Sequence, residues 1–327
     1  MKLHIIGAGA IGGTLGARMF RDGHDVTLVD TDDDHVRAIR ENGLHIEGPV
    51  NDFTVRIPAI TPAELPDSID RAVVAVKSLH TASAAALLRD RLSPDGVVLT
   101  VQNGLTADTL IEAVGRERVI CSFVNIGADL MGPGVVMQGN VATFRVGEID
   151  AGPITARVQE FADALPYAEA TDNVLGYLWG KEVYGAMMWA GAVSDLSIAD
   201  TLELPAYRPL MTALSREVLA QAPVTVEGFD GFEPDDLAGS FDRLAAFNRK
   251  SAKTHSGIYR DLMVRRRKTE VDEVHKDIQG PIFDRVVEMI HDIEEGRRTC
   301  EVANLDELAA FVADLSVSGS APAGGGA

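Results

Sequence analysis

The opening segment MKLHIIGAGAIGGTLGARMFRDGHDVTLVD constrains the fold more than any other stretch. Leu3 to Ile6 reads as a short apolar strand, and Gly7, Gly9 and Gly12 form G-x-G-x-x-G at its exit. Apolar spacing through Leu15, Ala17 and Phe20 predicts a helix closed by Asp22-Gly23, and a second strand, Asp25 to Val29, leads to Asp30. A glycine turn alone is weak evidence. With a strand before it, a helix after it and an acid eighteen positions beyond Gly12, it specifies a dinucleotide-binding βαβ unit. Gly7 is expected to make the tight turn, Gly9 to admit the pyrophosphate, and Gly12 to let helix and strand pack closely. The N–H groups of Ala10 and Ile11 at the helix start would face the phosphates.

Asp30 sharpens the expectation. A carboxylate at the end of the second strand accepts hydrogen bonds from the adenosine ribose and repels a 2′-phosphate. Thr31, Asp32, Asp33 and Asp34 follow, and no arginine occurs until Arg37. The cofactor expected is therefore NAD(H), with NADP(H) as the alternative. RAVVAVKSLHT and GVVLTVQNGL then predict buried parallel strands, Ala72 to Val76 and Val97 to Val101, in a doubly wound α/β sheet. Functional groups of such sheets gather at the carboxyl ends of strands, where Lys77 and Asn103 fall, near cofactor and substrate. The stretch from Val119 to Ile149 reads as further strands around a Gly-Pro-Gly turn, a hairpin closing the domain.

From Ile154 onward helical spacing takes over. The expected organisation is a Rossmann-type domain over residues 1–170, an all-α domain over 171–315, and a disordered small-residue tail over 316–327, with the junction at Pro166 to Asn173. The chain has 327 residues and a net charge of −19, which argues against nucleic acid and anionic membrane as partners. Cys121 and Cys300 make neither a disulfide framework nor a metal-ligand spacing, and no His/Asp cluster predicts a metal. No segment reaches the length of a membrane span, and the glycines arrive too early for a signal peptide, so a cytoplasmic location is expected. An apolar helical domain is compatible with a homodimer.

Within the second domain, YLWGKEVYGAMMWAGA places Lys181 and Glu182 at the head of an apolar run with Leu178, Tyr184, Met187 and Met188 at helical spacing. A lysine there either sits in an exposed first turn paired with Glu182, or stabilises and protonates an alkoxide formed at a carbonyl. Further on, the run Arg265-Arg266-Arg267-Lys268 precedes Thr269, a candidate N-cap, and Glu270; such a run balances an acidic neighbour or binds an anion.

G-x-G-x-x-G, VKS at Lys77, QNG at Asn103, W-x-K at Trp179 to Lys181, and KTEVD at Glu270 occur in the order found in the ketopantoate reductase family, which the chain resembles from Met1 to Asp272. The resemblance implies a Rossmann domain followed by an all-α domain, with the active site in the cleft between them. It implies Lys181 as catalytic general acid, Glu270 as a hydrogen-bonding partner in the substrate site, and Lys77 and Asn103 near cofactor and substrate. It also implies a substrate-binding serine, matched by Ser256, although DLMVRRRKTE runs one residue longer than the family's spacing.

Other departures bear on substrate and cofactor. The family follows its lysine with asparagines four and eight positions on, where this chain has Gly185 and Trp189. Its Asn-Gly after the glutamate motif becomes His275-Lys276, and its NADP-phosphate residue corresponds to Thr31 beside Asp30. The expected function is an NAD(H)-preferring oxidoreductase interconverting a small 2-oxo acid or related ketone with its 2-hydroxy form. A true 2-dehydropantoate 2-reductase and a non-catalytic nucleotide-binding protein are the alternatives. His255 and His275 are read as structural histidines ahead of ligands to a carboxylate.

Overall fold

The computed structural model describes residues 1–250 and 254–318. They form two compact units, Met1–Leu178 and the chain from Trp179 on. No described helix is long and apolar enough to cross a membrane.

The first unit contains strands β1 (Lys2–Ile6), β2 (Asp25–Val29), β3 (Leu44–Glu47), β4 (Phe53–Val55), β5 (Ala59–Ile60) and β6 (Ile69–Val74). It continues with β7 (Leu92–Thr100), β8 (Val119–Val124), β9 (Ala128–Gly132), β10 (Val135–Gln138), β11 (Phe144–Glu148) and β12 (Glu169–Ala170). Its helices are α1 (Ala10–Arg21), α2 (Asp33–Asn42), α3 (Thr81–Arg89), α4 (Ala107–Val114), α5 (Ala156–Ala164) and the start of α6 (Val174–Ala192).

The main sheet has the order β12-β11-β8-β7-β6-β1-β2-β5, parallel except where β11 meets β8. Its strands are β-branched and apolar on both faces because both faces are covered. Leu3, Ile5, Val26 and Leu28 pack with Leu15 and Met19 of α1 and Phe161 of α5 on one side. Ile6, Val29, Val74 and Val98 pack with Leu88 of α3 and Leu110 of α4 on the other. This is the doubly wound sheet expected, with β6 and β7 ending at Val74 and Thr100. Strand order reverses between β1 and β6, so the chain leaves the sheet at that point in opposite directions and opens a crevice at the carboxyl ends.

The Gly-Pro-Gly hairpin forms between β9 and β10, but it belongs to a second, four-stranded sheet of order β4-β3-β10-β9. Its β10 pairs in parallel with β3, some ninety residues earlier in sequence. This sheet lies on α1: a Cβ on Gly13 would stand 3.3 Å from Val136 Cγ2 and 3.5 Å from Leu44 Cδ2. Residues 166–173, read as the junction, carry edge strand β12 and Asn173, whose Oδ1 accepts from Gly176 N–H at 3.0 Å and starts α6. The division between the units falls within α6.

The second unit is helical: the rest of α6, then α7 (Ile198–Glu203), α8 (Arg208–Leu219), α9 (Leu237–Arg249), α10 (Gly257–Tyr259), α11 (Val271–Asp277), α12 (Pro281–Glu294) and α13 (Val302–Ser318). Side chains from one helix satisfy the open ends of others. Glu217 on α8 accepts from Ile282 N–H at 3.1 Å and Phe283 N–H at 2.8 Å at the start of α12. Buried Asn304 of α13 donates to Val193 O just past α6 at 2.7 Å. Because α13 extends to Ser318, it enters the stretch expected as a tail; residues from 319 on lie outside the described residues.

Between α10 and Arg265 the backbone forms one π-helical segment, Arg260–Val264. A π-turn accommodates one more residue than the α-helical register.

Candidate active site

In the first unit, the three glycines do different work. Gly7 has φ +101°, and a Cβ there would meet Ala75 C and Val76 N at 2.9 Å, so the turn crosses the end of β6 at backbone distance. On Gly12, a Cβ would stand 1.9 Å from Gly7 O, which only a hydrogen side chain tolerates. Beside Gly9 there is nothing within 4 Å. That open face adjoins the first turn of α1, whose N–H groups have no intrahelical partner and no side-chain cap. Unshielded donors and the positive end of the helix dipole make a cradle for phosphate, and the residues fit a dinucleotide.

Asp30 follows β2. Its Oδ2 accepts from Ala8 N–H at 2.7 Å and its Oδ1 from Asp32 N–H at 3.0 Å. The acids after it have a local cause: Asp32 caps α2 by accepting from Asp34 and His35 N–H, and Asp33 and Asp34 occupy the helix's first turn. Arg37 is turned to Asp34.

Lys77 and Asn103 are exposed residues just beyond the ends of β6 and β7. Between them lies a residue whose role the sequence did not disclose. Gln102 is buried; its amide nitrogen donates to Val76 O at 2.9 Å and to Thr81 Oγ1 at 2.7 Å, and Thr100 Oγ1 donates to its carbonyl at 3.2 Å. It ties the loop that follows β6 to the one that follows β7.

In the second unit, Lys181 is the eighth residue of α6, past the first turn. Gly180 admits a neighbouring loop: a Cβ there would lie 2.6 Å from Glu227 O and 3.3 Å from Phe229. That loop makes a tight turn, with Phe229 N–H donating to Phe232 O at 2.9 Å and the reverse bond at 2.8 Å. Asp230 (φ +44°) and Gly231 (φ +93°) provide the left-handed pair that a two-residue hairpin turn needs. Asp230 thereby comes close enough to act on Lys181.

Burial pushes the Lys181 ammonium down to about 8, against the opposing influence of Glu182 and Asp230, although part of the side chain stays solvent-accessible. Glu182, 7% exposed, is pushed up to about 7 by burial, opposed by Lys181 and reinforced by Asp277. The two form a coupled pair in which burial disfavours both charges. Lys181 is thus a stronger acid than a surface lysine and still carries its proton at neutral pH. One turn on, Gly185 has nothing within 4 Å of where a Cβ would be, while Trp189 is buried. Tyr184 rests edge-on against Phe229 and hydrogen-bonds Asn248.

Glu270 is half-buried and occupies the N-cap position of α11 itself; Thr269, expected as the cap, stands one residue earlier. Thr269 N–H and Oγ1–H both donate to Glu294 Oε1, at 2.6 and 2.7 Å, which anchors the chain beside Glu270 from α12. In the basic run, Arg265 and Arg267 both grip Asp261 and hold its carboxyl below the usual range, so those two balance a neighbour.

Ser256 caps α10, accepting from Tyr259 N–H at 3.2 Å. His255 stacks on Tyr259 with ring centroids 4.2 Å apart and has both nitrogens engaged, by Thr254 Oγ1 and Asp195 O. His275 pairs with Asp284 at 2.8 Å. Among the described residues no group of three or more His, Cys, Asp or Glu is placed to hold a metal.

The first unit thus carries a strand–glycine loop–helix turn of the dinucleotide-binding kind and the second a half-buried lysine, and the chain's relatives are NAD(P)-dependent oxidoreductases acting on CH–OH groups. Residues 3–151 match the family model described as ketopantoate reductase PanE/ApbA. The 2-dehydropantoate 2-reductase of Pyrococcus abyssi is 33% identical over 190 residues, 56% of this chain and 60% of that protein, so the alignment spans under two thirds of that relative. The Halobacterium salinarum 2-dehydropantoate 2-reductase is 29% identical over 304 residues, 90% of this chain and 94% of that one. A solved D-mandelate dehydrogenase with NADH and anilino(oxo)acetate superposes with a TM-score of 0.77 at 23% identity, covering 90% of this chain and 99% of that chain. Over residues 3–151 the chain matches the ketopantoate reductase family, and over most of its length it is similar to proteins named 2-dehydropantoate 2-reductase.

Proposed function

We propose that the protein is an NAD(H)-preferring oxidoreductase that interconverts a small 2-oxo acid, or a related ketone, with its 2-hydroxy form, and that it is not restricted to ketopantoate. The observation that carries this reading is Lys181: a lysine inside a helix, brought by burial to about 8, beside open space at Gly185. Bound nicotinamide supplies the hydride or accepts it. Lys181 stabilises the oxyanion and gives it a proton in reduction; in oxidation its amine form takes the proton. Glu270 orients Lys181 or the substrate, with Asn103, Ser256 and Lys77 as further binding groups.

Two features support the departure from ketopantoate. Gly185 and Trp189 offer no amide where the family has asparagines, and a site lacking donors for a substrate hydroxyl discriminates less for it. For the cofactor, Asp30 at the end of β2 and the diversion of Arg37 to Asp34 leave a negative edge where a 2′-phosphate would sit. The D-mandelate dehydrogenase structure illustrates that this fold accommodates NADH. The test is steady-state kinetics with NADH and NADPH separately, against ketopantoate and a panel of 2-oxo acids. The expected result is higher kcat/KM with NADH and with a 2-oxo acid other than ketopantoate. Preference for NADPH and ketopantoate would instead make it a 2-dehydropantoate 2-reductase, and tight NADH binding without any turnover would make it a nucleotide-binding protein.

A further inference from the structure

His35 is 1% exposed and lies in the first turn of α2, under the glycine loop. Its Nδ1 is 3.0 Å from Gly134 N, and its Nε2 is 3.0 Å from Ala8 O. The backbone N–H of Gly134 can only donate, so Nδ1 is the acceptor and Nε2 carries the hydrogen that goes to the Ala8 carbonyl. Asp30 Oδ2 already accepts from the Ala8 N–H at 2.7 Å. Ala8, the residue between Gly7 and Gly9, is therefore gripped at both its backbone polar groups from beneath, by two side chains five positions apart.

This matters because of what surrounds Ala8. Gly7 and Gly9 have wide backbone freedom, and a phosphate cradle works only when its N–H groups already point the same way; otherwise ordering the loop is subtracted from binding. We propose that His35 is a positioning residue for the cofactor: with Asp30 it fixes the Ala8 backbone, and so the aim of the N–H groups of Gly9, Ala10 and Ile11, and it wires that loop to the turn of the second sheet at Gly134. The same capping by Asp32 that begins α2 seats His35, since Asp32 Oδ1 accepts from His35 N–H at 3.0 Å. The inference rests on the reading of the glycine loop as the pyrophosphate site.

Two substitutions separate the two halves of the clamp. In His35→Gln the amide nitrogen stands where Nε2 stood and keeps the bond to Ala8 O, losing Gly134. In His35→Asn the amide oxygen stands where Nδ1 stood and keeps Gly134, losing Ala8. NADH affinity by fluorescence titration, KM and kcat, and thermal unfolding are measured for both and for wild type. The expected result is an NADH Kd and KM raised about 5- to 10-fold in His35→Asn, the loss of roughly one hydrogen bond, with kcat at saturating NADH within about 2-fold. His35→Gln should stay within about 2-fold of wild type in all three. Equal weakening in the two variants, or none in either, would overturn the proposal while wild-type binding left the loop reading intact. Failure of wild type to bind NADH would overturn the loop reading, and the role of His35 with it.

Discussion

On the proposed reading the glycine loop and the Lys181 helix serve one reaction and solve opposite problems. Around Gly7, Gly9 and Gly12 the working groups are backbone N–H groups, and the sequence supplies them by removing side chains. Around Lys181 the proposed working group is a side chain whose acidity comes from burial, with Glu182 and Asp230 opposing it. A backbone site is determined by spacing and local conformation; a side-chain site is determined by what the rest of the fold packs around it.

The comparison breaks most sharply at Lys181. Lys181→Ala should lower kcat by about 10³-fold, within the range for a lost general acid, and leave NADH affinity within about 2-fold, measured by steady-state kinetics and fluorescence titration. An equal loss of both would mean that the helix also serves the cofactor. On the other side, Gly9→Val and Gly12→Val should part company. The side chain at Gly9 enters open space, so the fold survives with its Tm near wild type while NADH binding drops about 100-fold. At Gly12 it collides with Gly7 O, so the folded yield itself should collapse. Similar Tm values for the two would remove the distinction between an approach glycine and a packing glycine.

Gly185→Asn probes whether the substrate side was rebuilt. Restoring an amide one turn from Lys181, in open space, should raise kcat/KM for ketopantoate relative to other 2-oxo acids by about 10-fold. No change in the ratio would place the selectivity elsewhere. Smallest is the effect of Glu182→Gln. The Glu182 carboxylate supports the Lys181 ammonium, so its removal should move the alkaline limb of the kcat profile for reduction to lower pH. The same change should stabilise the protein near pH 8. Burial raises the folded-state pKa of Glu182 above its unfolded value, so the stability it contributes is present at low pH and is lost as pH rises through about 7. An unmoved limb would uncouple the pair.

The same division explains what could be read in advance. The βαβ unit was legible because its signals are local: a strand, three glycines, a helix and Asp30. The second sheet was not, since β3 and β10 pair across some ninety residues and β4 has only three. His35 gave no signal within DDDHV, because its importance lies in reaching Ala8 O and Gly134 N. Asp230 had one: Phe-Asp-Gly-Phe reads as a two-residue hairpin turn, although nothing in it points to Lys181. Gln102 stood within the QNG motif, but which of its residues turns inward depends on the loop after β6. The first-turn alternative for Lys181 failed because α6 starts at Val174, earlier than the apolar run suggests.

The most direct test of the account is the pH dependence of kcat for NADH-driven reduction of the best 2-oxo acid, in wild type and in Lys181→Ala. The account predicts a wild-type rate that is level at neutral pH and falls tenfold per unit above about 8, and a variant about 10³-fold slower without that limb. A variant that kept the wild-type rate and the same limb would show that the acid is another group, and the central assignment would fail.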